Sequence, residues 1–252
     1  MPSFRLRYAL TLASGEWKSF WSSPAGGLSI LVFLLLSGLF IYNSVASYAL
    51  LNLSAMSRGG AMDATLGLFS ASLEQLGLII MLVTPLTTMK AFSPFNAGGH
   101  LDLLLSLPIT RLELTLGYFI SAFLSLLLLT LLALLPYLFL IFLGVGSFGL
   151  LLNSILGFIL LISAFVAVGL AVSSRALSPL ASALATLGLL ALFWALGWAA
   201  PYLSRQVAYV LMGLAFGPRL THFSLGLLDL NDVVYFLVLT IVGLYLARSA
   251  GR

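Results

Sequence analysis

Asp229 and Asp232, on either side of Asn231, are the closest pair of carboxylates in the chain. Acids at that spacing ahead of an apolar run can cap the free amides of a helix N-terminus and favour its dipole, or they can supply ligands to calcium or a polar substrate. We read them as caps. His222 could gain a proton in a mildly acidic exterior, or serve as a packing and hydrogen-bonding residue. His100 stands in a polar loop without the partner spacing of a metal site. Glu74, beside Gln75, lies only partway into an apolar run; it could couple an ion, or mark the point where a membrane helix leaves the interface. No Gly-x-x-x-x-Gly-Lys-Ser/Thr cradle is present, and Gly98-Gly99 lacks the lysine and helix start that a phosphate site needs. Neither a Ser-His-Asp arrangement nor zinc-ligand spacing occurs, and the lack of cysteine removes thiolate chemistry and disulfides. We therefore expect no catalytic, cofactor-binding or metal site on this chain, and any nucleotide hydrolysis on another. Asn52-Leu-Ser54 matches a glycosylation acceptor, a pattern too common to carry weight.

The residues that position these groups are overwhelmingly apolar: 62% of the chain is hydrophobic, 7% is charged, and the mean hydropathy is +1.17. A water-soluble globule of 252 residues could not be coated by so little polar surface. The solvent is lipid. The net charge of +4 is scattered singly between apolar runs and forms no stripe, which argues against a nucleic-acid partner.

A crossing helix needs about 20 apolar residues, and open strands would leave backbone groups unpaired in lipid. Six spans are expected, at residues 27–51, 66–89, 112–143, 148–172, 179–200 and 232–247. The third is long enough to tilt, to project into the cytoplasm or to bend at Pro136; we favour projection with a bend. Gly144-Val-Gly-Ser147 and Ser173-Ser-Arg-Ala-Leu-Ser178 are so short that the third to fifth spans must run antiparallel. With the N-terminus inside, Arg5, Arg7, Lys18, Lys90, Arg111, Arg175, Arg248 and Arg252 face the cytoplasm, against Arg58, Arg205 and Arg219 outside. That bias follows the positive-inside rule and puts both termini in the cytoplasm.

Residues 1–25 are interrupted by Arg5, Arg7, Glu16 and Lys18 before any long apolar run, so they are not a cleavable signal. Leu6, Ala9, Leu10, Ala13, Trp17, Phe20 and Trp21 recur at helical spacing, which predicts an interfacial amphipathic helix; a plain juxtamembrane tail is the alternative. Residues 52–65 form a polar outer loop. Residues 200–231 form a longer, largely apolar outer segment broken at Gly213-Leu-Ala-Phe-Gly217 and Pro218, and 210–216 is too short to span. We expect a re-entrant or interfacial hairpin there, with Pro201, Gly213, Phe216, Gly217 and Pro218 as candidate gate residues; the alternative is a loop resting on the bilayer. Ser163, Ala167 and Ala171, and likewise Ser182 and Thr186, fit close helix packing within the bundle or across a dimer.

Between the second and third spans stand Pro85-Leu-Thr-Thr-Met-Lys90 and Leu101-Asp-Leu-Leu-Leu-Ser-Leu-Pro108-Ile-Thr. With Trp17-Lys-Ser-Phe-Trp-Ser-Ser-Pro24, Phe33-Leu-Leu-Leu-Ser-Gly-Leu-Phe40 and Leu228-Asp-Leu-Asn-Asp-Val-Val-Tyr-Phe236, these motifs resemble, in order and over essentially the whole chain, the permease subunits of type 2 ABC transporters. The nearest subset is the gliding-motility-associated permeases; the nitrous-oxide-reductase maturation permease is a more distant relative.

The resemblance implies an all-α, single-domain, six-span exporter subunit, 1–252, of a bacterial inner membrane. Residues 90–111 would carry a cytoplasmic coupling helix. It further implies a second permease subunit, identical or related, a dimer of ABC ATPases holding ATP and Mg, and room for a periplasmic or auxiliary membrane subunit. ATPase coupling would fall to Lys90, Phe92, His100, Leu101, Asp102, Leu104, Leu105, Pro108 and Arg111. The family's Phe-Ala-Glu-Glu-Lys/Arg-x-x-Gly-Thr is replaced here by Phe92-Ser-Pro-Phe-Asn-Ala-Gly-Gly99-His, so its paired acids are missing. Either the partner permease keeps the charged motif in an asymmetric pair, towards which we lean, or docking is apolar through Leu101, Leu104 and Leu105 with Asp102 and Arg111 at the rim. A competing class is a mechanotransmission scaffold through which nothing crosses. An ion-coupled carrier is disfavoured by the lack of midplane charges and of an evident inverted repeat.

Overall fold

The computed structural model describes residues 6–56, 64–92, 110–142 and 147–249, and among these every regular element is helical. In chain order they are α1 (Leu6–Ser22), α2 (Pro24–Met56), α3 (Ala64–Thr88), α4 (Arg111–Phe142), α5 (Phe148–Ser173), α6 (Pro179–Ala199), α7 (Arg205–Leu214), α8 (Phe216–Ser224) and α9 (Leu230–Ser249), with a 3-10 turn, Ala200–Tyr202, between α6 and α7. Six of them, α2 to α6 and α9, are long and apolar enough to cross a membrane. The chain is therefore a multi-pass membrane protein.

Short polar side chains start the helices where the sequence turns. Ser147 and Ser178 accept from the amides of Leu150 and Ala181, and Pro179 follows Ser178 at the first helical position, where its missing amide costs nothing. Thr110 and Glu113 form a capping box: the Thr110 amide donates to Glu113 Oε2 at 2.7 Å and the Glu113 amide to Thr110 Oγ1 at 3.3 Å. At the α1–α2 corner Ser23 Oγ accepts from the Gly26 amide, and a Cβ at Gly26 would lie 1.9 Å from the Phe20 carbonyl oxygen. Only glycine allows that turn.

Helices α3 and α5 form the centre of the bundle: 61% of the apolar stretch of each is buried, against 22% for α2, α6 and α9, whose leucines and valines face outward. Small residues set the closest approach, as expected where dispersion replaces hydrophobic drive. A Cβ at Gly243 of α9 would fall 2.7 Å from the Ala167 carbonyl carbon, and Ser163 meets Thr240 at 3.0 Å across the same contact. The 163/167/171 stripe thus packs within the bundle. Ser182 and Thr186 of α6 are also buried, with no hydrogen-bond partner for either hydroxyl.

Two boundaries depart from the sequence-based expectation. Helix α2 continues to Met56, so residues 52–56 are helical and not loop. Helix α3 starts at Ala64, ten residues before Glu74, so Glu74 does not mark a helix start. Pro136 lies inside an uninterrupted α4, where lost backbone bonding is tolerated when neighbouring helices pack around it.

Candidate functional site

The polar chemistry gathers at the two ends of α3. At one end the chain leaves α6 through the turn at Pro201, runs along α7 and turns at Ala215 into α8. None of α7 is buried, and Tyr202, Tyr209 and Val210 are exposed. Helix α8 is the opposite: Phe216, Gly217, Leu220, Phe223 and Ser224 are buried. Phe216 sits among aromatic rings, with centroids at 5.0 Å from Phe165, 5.4 Å from Phe193 and 6.4 Å from Phe236. The candidate gate residues therefore divide. Pro201 and Gly213 lie on the exposed side, whereas Phe216 and Gly217 are locked inside and Pro218 packs on Gly197.

Asp232 is the hub of this end. Its side chain is 4% exposed, ion-paired to Arg219 and hydrogen-bonded at 2.7 Å to Nδ1 of His222. Arg219 also donates to the Gly213 carbonyl and lies 4.0 Å over the Tyr235 ring, and the Tyr235 hydroxyl donates to the Leu214 carbonyl at 2.5 Å. One carboxylate thus ties the start of α9 to α8, and through Arg219 to the corner leaving α7. The expectation of two caps is half right. Asp229 Oδ1 accepts from the Asn231 amide at 2.9 Å, but the Asp232 carboxylate is spent on Arg219 and His222. Its partners lie ten and thirteen residues back, and nothing in local spacing marks them. Of the two roles open to His222, the hydrogen-bonding one has its partner in Asp232.

Beneath α8, a Cβ at Gly217 would meet Glu74 Oε1 at 3.1 Å and Trp194 Nε1 at 3.7 Å. A Cβ at Gly77, one turn along α3 from Glu74, would meet Leu220 and Trp194 each at 2.7 Å. Two glycines thus let α3, α6 and α8 converge on Trp194, which is buried and whose indole N–H has no partner. Sequence reasoning passed over Trp194, because one tryptophan in an apolar span carries no distinguishing spacing.

At the other end of α3, Lys90 is exposed, Arg111 is half-exposed at the start of α4, and Phe92 is buried. The Phe92 ring packs edge-on to Tyr118 at 5.4 Å, and its amide donates to Ser173 Oγ at 3.2 Å. His100, Leu101, Asp102, Leu104, Leu105 and Pro108 lie outside the described residues, as does the proposed coupling helix. Next to Lys90 is a cavity of about 90 Å³ between α1, α3 and α4, lined by Glu16, Ser19, Thr87, Lys90, Tyr118, Ser121 and Ser125 among others. Helix α1 reaches it because Gly117 of α4 accepts Leu12, with a Cβ there only 2.5 Å from Leu12 Cδ2.

The packing face of α1 runs Ala9, Leu12, Ala13, Glu16, Phe20. A carboxylate occupies a position where helical period calls for an apolar residue, and burial pushes Glu16 above its ordinary carboxyl range. The signal was present in the sequence: Glu16 falls at i+3 and i+7 from Ala13 and Ala9, and Gly117, Ser121 and Ser125 recur every fourth residue.

No family model matches this sequence, and no curated protein is significantly similar to it.

Proposed function

We propose that this chain is the membrane-spanning permease subunit of an ATP-driven exporter, with ATP and Mg bound by a dimer of ABC ATPases on separate chains and a second permease subunit completing the pathway. The motif resemblance brings the family. The observation that carries the proposal is the pairing of two unlike ends on α3. Glu74 lies under the short helix α8, and sixteen residues further, roughly 24 Å along the axis, Lys90 opens the motif-bearing connection of residues 90–111.

In this proposal the Lys90 end is cytoplasmic, as are both termini, in a bacterial inner membrane, and residues 90–111 receive the ATPase. Phe92 is fixed to α4 through Tyr118 and to α5 through Ser173, so a push on the connection moves both helices. Nucleotide drives such a movement only if the two conformations differ in affinity for it. Helices α7 and α8 form the outer re-entrant hairpin, with Phe216 as its plug and the Asp232 cluster as its tie.

One observation favours a second reading, in which the movement does work on a periplasmic partner and nothing crosses. The hydroxyls of Thr84, Thr88, Ser125, Thr130 and Ser154 donate to carbonyls four residues back in their own helices, so these five donors are turned away from a wet path, and of the buried span hydroxyls those of Ser182 and Thr186 stay unpartnered.

The test of the main proposal is affinity purification of the chain from its native membrane in mild detergent, with mass spectrometry of what co-purifies. Recovery of a Walker-motif ATPase is the expected result; a reproducible preparation without one overturns it. Restoring glutamates at Ser93 and Pro94 then separates the two docking schemes, since unchanged ATPase stimulation removes charge loss as their explanation.

A further inference from the structure

We propose that the cavity between α1, α3 and α4 holds the headgroup of an aminophospholipid, its ammonium on Glu16 and its phosphate on Lys90. The cavity is partly open and about 90 Å³ in volume, room for about six waters at roughly 15 Å³ each. An aminoethyl group with its phosphate at the mouth is of that size.

Three features of the lining select this ligand. First, Glu16 and Lys90 line one cavity yet make no ion pair with each other. A carboxylate and an ammonium that face the same space without meeting suit a ligand carrying both signs. Second, Thr87 and Ser125 donate their hydroxyl protons to the carbonyls of Thr84 and Ser121. Each of these two hydroxyls has one proton to give, so what they leave for the cavity is oxygen lone pairs, beside the hydroxyls of Ser19, Tyr118 and Ser121, which can also accept; such acceptors take hydrogen bonds from a primary ammonium and gain nothing from a trimethylated one. Third, burial raises the Glu16 carboxyl, a cost that a bound ammonium would remove.

The location agrees. Helix α1 leaves Tyr8, Leu10 and Trp17 exposed along the two edges of its packing face, and Trp17 packs edge-on to Trp21 with ring centroids 5.9 Å apart. Aromatic side chains on a short helix outside the spans mark the headgroup level of a bilayer. The cavity lies on the packing face of the same helix, between α1 and the ends of two spans, within reach of a lipid that stays in its leaflet.

The experiment is native mass spectrometry of the full chain in mild detergent, titrated with phosphatidylethanolamine, phosphatidylglycerol and phosphatidylcholine of matched acyl chains. The wild type is expected to retain phosphatidylethanolamine over both others. Glu16→Gln is expected to lose about tenfold in phosphatidylethanolamine affinity, the scale of one charge-assisted hydrogen bond, and to bring it level with the other two. Lys90→Met should weaken all three lipids alike. Equal retention of the three lipids by the wild type overturns the proposal without any variant, and so does a Glu16→Gln chain that keeps the preference. Excess soluble phosphoethanolamine should leave the lipid bound; displacement by it would overturn the lipid as the source of the headgroup.

Discussion

Replacing Asp232 by Asn should destabilise the chain far more than the same change at Asp229. The carboxylate is buried, its partner Arg219 has a side chain 14% exposed, and the substitution leaves that guanidinium beside a neutral amide. Breaking a buried pair by removing one partner costs about 3–5 kcal/mol. Here Arg219 keeps the Gly213 carbonyl and the Tyr235 face, so the expected cost is about 2–3 kcal/mol, at or just below the bottom of that range. For a chain of this size, that corresponds to a fall of roughly 5–10 °C in unfolding temperature. The assay is thermal unfolding in detergent followed by tryptophan emission, to which Trp194 under α8 contributes. Arg219→Met alone should cost a similar amount, and the double variant should recover most of it, because no buried charge is then left over. His222→Ala should cost less than about 1 kcal/mol, since its side chain is 46% exposed. Asp229→Asn, at an exposed position, should cost about 0.5 kcal/mol or less, because asparagine caps nearly as well. If Asp232→Asn and Asp229→Asn were equally mild, Asp232 would be a surface cap and the reasoning from the buried ion pair would be wrong.

Gly243→Ala should cost about 1–3 kcal/mol by forcing α9 off the α5 backbone, whereas Gly188→Ala, with nothing within 4 Å of its Cβ, should be neutral or stabilising; parallel melting curves decide. Gly26→Ala should open the α1–α2 corner, since its Cβ would meet backbone rather than a movable side chain, and limited proteolysis within α1 should accelerate. Glu16 gives a pH signature. Its folded pKa lies above its ordinary value of 4.5, so the folded chain keeps a proton that the unfolded chain has lost, and the contribution present below 4.5 disappears as pH rises through the folded value. Stability of the lipid-free wild type should therefore fall across that window relative to Glu16→Gln, and parallel profiles would place Glu16 in water.

Much of the fold was legible because lipid imposes length. Each expected span is found as a helix, and most boundaries move by only a few residues, since a run of apolar side chains must be covered from end to end. The stripe through Ser163 and Ala167 was legible as packing for the same reason: in lipid only small residues bring backbones together. Pairings that depend on which helices become neighbours were not legible. Asp232 reads as a cap until α8 is folded back onto α9, and then Arg219 and His222 reach it. Glu16 was counted with the solvated charges of an amphipathic helix, and its burial depends on Gly117 making room for Leu12 on a helix a hundred residues away. Trp194 becomes a landmark only when Gly77 and Gly217 converge on it.

Helix α5 is what connects the two ends. Near its start a Cβ at Gly157 would lie 2.7 Å from Phe223 Cβ, and Asn153 donates to the Phe223 carbonyl at 2.7 Å. Near its end a Cβ at Gly169 would lie 2.5 Å from Thr88 Oγ1, and Ser173 accepts from the Phe92 amide. The two glycines are twelve residues apart, roughly 18 Å along one buried helix, so the helix touches α8 with one end and the close of α3 with the other. Spatial intermediacy alone is not coupling; coupling requires an element with two arrangements that both ends bias. A double-mutant cycle between Phe92→Ala and Phe223→Ala separates the cases. In thermal stability the two should add within about 0.5 kcal/mol, as distant packing sites do. In the ATPase rate of the proposed complex they should depart from additivity, because each would shift the same movement of α5. Additivity in both measurements would leave α5 as a static core and assign transmission to α4, the other helix that Phe92 touches.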